Sequence, residues 1–150
     1  MNNFYSLLVH AHSGWRWVVL ILLLAAIFKA FAGWRGKKEF TAGDKKLAMF
    51  AMIAFHIQYL GGIILYFISP KVMFVPGMMK AQMLRFYAME HIVMMTIAFV
   101  LLTYGYSKSK KIVEAGRKFK KIFVFYLISL LIILAAIPWP IRTQLGASWF

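Results

Sequence analysis

The 150-residue chain contains no cysteine. That absence excludes disulfides, iron–sulfur clusters, thiolate zinc sites and covalent c-type haem attachment. Acidic residues are nearly as scarce, with four set against 18 lysines and arginines. Also missing are a P-loop, a dinucleotide-binding fingerprint, an HExxH motif and a GxSxG nucleophile elbow. Those gaps remove the common nucleotide-dependent, metalloprotease and serine-hydrolase chemistries, and no catalytic residue can be assigned. With no inverted halves and few acids inside its apolar blocks, the chain does not read as a transporter. Charged residues make up only 15% of it, where a soluble domain carries about a quarter.

What is present is apolar: 63% of the residues are hydrophobic. They fall in blocks at about 7–34, 47–68, 79–106 and 122–139, each near the ~20 residues that cross a bilayer as a helix. The boundaries have physical causes. Thr41 or Asp44 can cap the second helix. Ser69-Pro70 ends it, because proline disfavours helical geometry in the residue before it. Pro76-Gly77 marks the next turn, and Pro138-Trp139-Pro140 closes the fourth block. The expected fold is all-α, a single integral membrane domain. The turns are too short for a crossover, so an up-down-up-down four-helix bundle is expected.

The basic residues sort by side. Arg35, Lys37, Lys38, Lys45 and Lys46 surround the first turn, and Lys108, Lys110, Lys111, Arg117, Lys118, Lys120 and Lys121 the third. The opposite side holds Lys71, Lys80, Arg85 and Arg142. The positive-inside rule then puts both termini on the outer, periplasmic side of a bacterial inner membrane. The net charge of +14 is thereby a topology signal with some attraction to anionic lipid heads, and no nucleic-acid partner is needed to explain it. Ala30-Phe31-Ala32-Gly33 resembles a signal-peptide cleavage site, but a basic n-region is missing and the apolar run is too long. The first block is therefore expected to be a true span. Trp15, Trp17, Trp34, Tyr104, Tyr106 and Trp139 stand near block ends, where interfacial rings belong.

Ionisable residues inside spans are costly, and each is a functional candidate. Here they are His10, His12, Arg16 and Lys29 in the first block, His56 in the second, and Glu90 and His91 in the third. No histidine lies near the cytoplasmic end. Neutral imidazole is a common axial ligand of haem iron, and apolar walls are plentiful. Residues two apart on a helix project about 200° from each other, so His10 and His12 cannot share a site. The candidate metal ligands are His91 with either His12 or His56, and the spacing leaves that choice open. Gly61-Gly62 offer room where a macrocycle edge approaches the backbone. Arg16, four residues after His12 and on the same face, is a candidate partner for haem carboxylates, as are Arg85 and Arg142. The structural alternatives are plain: histidines hydrogen-bonding across helices, Glu90 pairing with Arg16 or Arg85, and Lys29 snorkelling to the interface. The ten methionines read as packing residues rather than ligands.

The segments His10-Ala-His-Ser-Gly-Trp-Arg-Trp17, His56-Ile-Gln58 with Gly61, Arg85-Phe-Tyr-Ala-Met-Glu-His91 and Ile137-Pro-Trp-Pro-Ile-Arg142 together span most of the chain. In these the chain resembles a family of small bacterial four-helix membrane proteins labelled cytochrome b-like. The resemblance implies one haem b between helices and electron transfer, with quinone as an exchange partner. The repeated paired histidines of the larger di-haem cytochromes b are lacking, which argues against two haems.

Three functional expectations follow. The first is a membrane electron-transfer protein exchanging electrons with quinone or a redox partner, with Tyr87, Glu90 and Arg85 available to a quinone or proton path. The second is a porphyrin-handling membrane oxidase. The third is a cofactor-free accessory subunit of a larger respiratory or other membrane complex.

Overall fold

A computed structural model describes residues 3–147 and residue 149. Every regular element among them is helical. Four helices are long and apolar enough to cross a membrane: α1 (Asn3–Arg35), α2 (Ala42–Ile68), α3 (Gln82–Ser109) and α4 (Ala115–Ala136). The chain is a multi-pass membrane protein by this length and composition. At about 1.5 Å per residue, α1 runs roughly 50 Å, longer than the ~30 Å hydrocarbon core, so its ends extend beyond it or the helix tilts.

Local chemistry sets the ends. α1 closes in a Schellman turn: the Lys38 N–H reaches the Gly33 carbonyl at 3.0 Å, and Lys37 takes the left-handed position with φ 49°. Glycine usually fills that position because an L side chain is strained there. α2 opens with a full capping box. The Thr41 hydroxyl accepts from the Asp44 N–H at 3.3 Å, and the Asp44 carboxylate accepts from the Thr41 N–H at 2.8 Å. Both expected caps are thus used together, and Lys29 adds an ion pair to Asp44 at 3.5 Å rather than only reaching for solvent.

All four helix starts differ from the sequence expectation: α1 begins at Asn3 rather than 7 and α2 at Ala42 rather than 47, and the other two differ for physical reasons. The third helix starts at Gln82, not residue 79, because the Pro76-Gly77 turn continues through hydrogen bonds from Lys80 to Gly77 and from Ala81 to Met78. The fourth starts at Ala115, not residue 122. Its first two turns carry Arg117, Lys118, Lys120 and Lys121, which hide the helical pattern in a hydropathy reading. Phe119 and Ile122, each 2% exposed, already belong to its buried stripe. α3 also contains a π-helical turn, Phe86–Glu90, where the His91 N–H bonds back five residues to Phe86. Such single π-turns recur at functional sites.

The helices pack in the ring order α1–α2–α3–α4. Small residues line the close approaches: Ala26, Ala30 and Gly33 on α1, Ala48, Ala51 and Ala54 on α2, and Ala98 and Gly105 on α3. In lipid the drive between helices is packing, and small residues let backbones approach. The Phe119 ring lies over Gly33, where no Cβ fits. At the centre, the fully buried Tyr126 hydroxyl donates to the Ala48 carbonyl at 2.7 Å, tying α4 to α2.

After α4 the chain turns at Pro138, makes one 3-10 turn at Thr143–Leu145 and folds back over one end of the bundle. That end gathers the start of α1, the end of α2 and the start of α3. Tyr5 bonds Ser69 at 3.2 Å, and Tyr87 donates to the Leu145 carbonyl at 3.1 Å.

Candidate functional site

A cavity of about 210 Å³ occupies this end of the bundle, between α1, α2, α3 and the segment after α4. Each wall comes from a helix face whose spacing selects it. On α1 the residues are His12, Arg16 and Val19, one continuous helical face. On α2 they include Phe55, Gln58 and Gly62, and on α3 Tyr87, His91 and Met95. Ile133 and Ile137 close the α4 side. The result is an apolar chamber holding a few directed polar groups, the usual composition of a ligand site.

His91 is fixed from outside the cavity. Its Nδ1 stands 2.7 Å from the Ala136 carbonyl, and a carbonyl only accepts, so Nδ1 carries the proton. The other ring nitrogen, Nε2, is then the basic one. An outer hydrogen bond of this kind sets the tautomer in metal-ligating histidines. A π-turn stands immediately before it, and Tyr87 lies four residues back along the same wall.

His12 reaches the same cavity from α1. Its ring packs on Gly61 and Gly62, where an added Cβ would stand 3.6 Å from Nδ1 and 3.2 Å from Cε1 respectively. The paired glycines therefore make room for an imidazole, where the sequence reading placed a macrocycle edge. The His12 Nδ1 is buried with no hydrogen-bond partner. Gln58 donates to the His12 main-chain carbonyl at 2.9 Å, while its own Oε1 is buried and unpartnered.

Arg16 is 8% exposed. One terminal nitrogen donates to the Trp149 carbonyl at 2.8 Å, and the guanidinium lies 5.4 Å and 5.7 Å from the ring centres of Trp17 and Trp139. Its Nε has no partner. Lys71, from the α2–α3 connection, donates to the Gly146 carbonyl at 2.7 Å and sits 5.0 Å over the Tyr87 ring. Burial holds the Lys71 ammonium below the usual lysine pKa range.

The structure thus brings His12, Arg16 and His91 together and separates His56 and Arg85 from them. His56 points across the α2–α3 seam, its Nε2 2.9 Å from the Thr103 hydroxyl and its ring against Phe99 at 4.5 Å. It is two residues from Gln58, hence on another face of α2, and only one of the two can line the cavity. Arg85 is held outside by an ion pair to Glu90 at 2.6 Å and a bond to the Met79 carbonyl at 2.9 Å. Of the three groups offered for a quinone or proton path, only Tyr87 reaches the cavity. Arg142 lies 4.9 Å from the Phe86 ring centre, and His10 is exposed. Among the described residues no group of three His, Asp or Glu side chains is arranged to hold a metal ion.

Sequence reasoning missed Lys71, Tyr66 and the chain after Pro138 as parts of the wall. Gln58 carried a usable signal, a lone amide inside a span on the face opposite His56. Compared with known proteins, the chain matches no family model, no curated protein and no solved structure.

Proposed function

We propose that this chain is an integral membrane electron-transfer protein and that His12 and His91 would hold one b-type haem in the end cavity. The observation that carries this reading is the meeting of two imidazoles from different helices on one apolar cavity. One has its outer nitrogen fixed by Ala136, and the other has a buried nitrogen without a partner. The donor set fits the group: two neutral nitrogen ligands, apolar walls, and two cations at the mouth for propionates.

A bound haem supplies one-electron chemistry that the side chains alone cannot. The residues bind and orient. The Ala136 carbonyl keeps His91 in the ligating tautomer. Val19, Phe55, Met95 and Ile133 exclude water, and Arg16 and Lys71 place positive charge where carboxylates dock. A haem held there would exchange electrons with a quinone in the bilayer or with a redox subunit of a larger membrane complex.

The membrane arrangement belongs to the same proposal. Hydrogen bonds that join the beginnings of α1 and α3 to the ends of α2 and α4 support an up-down-up-down bundle. The basic turns lie at the other end, so the positive-inside rule puts the cavity and both termini on the periplasmic side of a bacterial inner membrane.

The test is a reduced-minus-oxidised spectrum of the protein purified in detergent. The expected result is a Soret shift with an α-band, lost in His12→Ala and His91→Ala and retained in His56→Ala. A wild-type protein with no absorbance change on reduction after haem supplementation overturns the reading.

A further inference from the structure

The four acidic side chains of this protein are placed where none neutralises the cavity. Glu90 is paired with Arg85, Asp44 with Lys29, and Glu114 with Arg117. Glu39 lies in the turn between α1 and α2, at the other end of the bundle. Arg16 is therefore a buried cation facing no carboxylate side chain, and its Nε has no partner among the described residues. A buried charge is costly unless it is paired and hydrogen-bonded. Two aromatic faces and a single carbonyl are a thin substitute for an anion.

The same holds for the rest of the mouth. Three donors on three elements of the cavity wall, Arg16, Lys71 and Tyr87, each bond a main-chain carbonyl of the segment after α4: those of Trp149, Gly146 and Leu145. Two of the donors are cations, and a carboxylate is a stronger acceptor for them than a neutral carbonyl. Gly146 and Ala147 themselves form part of the cavity wall. With that segment seated, the volume of about 210 Å³ is below the ~300–1,000 Å³ usual for drug-sized ligands.

We propose that the cavity wall around Arg16, Lys71 and Tyr87 is a carboxylate-binding site, occupied in this state by the carbonyls of Leu145, Gly146 and Trp149, and that an apolar ligand bearing a carboxylate displaces them to enter. Arg16 and Lys71 exchange neutral acceptors for an anionic one, and the apolar chamber takes the ligand body. Haem propionates and a free fatty acid share the required chemistry. The site therefore does not depend on the haem reading.

The experiment uses the full chain in a non-ionic detergent and follows tryptic cleavage after Arg142 by mass spectrometry. Dodecanoate and haemin are the probes, with dodecanol and haemin dimethyl ester as their uncharged counterparts. A carboxylate is expected to speed cleavage several-fold while its uncharged counterpart does not. The response is expected to disappear in the Arg16→Gln/Lys71→Met double variant. Tyr87→Phe, which removes one carbonyl contact and keeps the ring, is expected to raise cleavage without ligand and keep the carboxylate response. A response to dodecanoate alone supports the site and assigns a fatty acid, leaving the haem reading to fall. A response to haemin alone assigns the propionates. If neither carboxylate acts, if the uncharged compounds act equally, or if the double variant responds like wild type, the proposal is overturned.

Discussion

Replacing Arg16 by methionine separates two accounts of this residue. If Arg16 is a structural fixture, its interactions in the empty protein stabilise the fold. The bond to Trp149 at 2.8 Å is of the charged kind, worth about 1.5–3 kcal/mol. The two indole contacts add about 0.5–1 kcal/mol each. Truncation then costs roughly 2.5–5 kcal/mol before any desolvation is counted. Against this stands the cost of holding an arginine 8% exposed with no counter-anion among the described residues, which is several kcal/mol. Methionine of similar length removes that cost and keeps apolar packing on the tryptophans. The two sums nearly cancel, so Arg16→Met is expected to change the stability of the ligand-free protein by no more than about 1 kcal/mol. Binding of dodecanoate or haemin is expected to weaken at least tenfold, the ~1.4 kcal/mol that a single lost charge-assisted bond accounts for. Thermal unfolding in detergent with and without ligand measures both. A loss above about 3 kcal/mol in the ligand-free protein refutes the reasoning, because the fold alone would then satisfy the guanidinium.

Other consequences are simpler to check. Gly33→Ala forces a methyl group into the Phe119 ring and is expected to cost about 1–3 kcal/mol by overpacking, read as a lower unfolding temperature; the same substitution should cost less when made in a Phe119→Ala background. Lys37→Gly relieves the positive φ at the end of α1 and is expected to stabilise by about 1 kcal/mol, whereas an unchanged midpoint means the lysine bears no strain. Lys71 is depressed in the folded state by burial, so the unfolded chain binds the extra proton between its folded value and the ordinary ~10.4. Stability is therefore expected to rise with pH across that alkaline window in the wild type and to flatten there in Lys71→Met. Carboxylate binding should fall over the same window as the ammonium loses its charge.

The capping box at Thr41 and Asp44 was legible because caps act over three residues of chain. The start of α4 was not. Hydropathy weighs the four cations of residues 117–121, whereas helix formation there follows the buried stripe begun by Phe119. The choice between His12 and His56 was equally out of reach. Both are lone histidines in apolar helices, and only the rotation of α2 against α3 turns one toward Thr103 and leaves the other cavity wall to Gln58.

The sequence by itself determined the solvent and the class of structure. Hydrophobic runs of span length must satisfy their backbone bonds internally in lipid, and helices do so. Its scarcity of acids also determined that an arginine inside a span would meet few carboxylates. Only the tertiary structure decided which polar groups share a cavity. That depends on helix rotation, on the π-turn ahead of His91, and on Trp149, 133 residues along the chain from Arg16, folding back to meet it. Local periodicity fixes the face of each helix, but the partner that face meets is set by packing among all four.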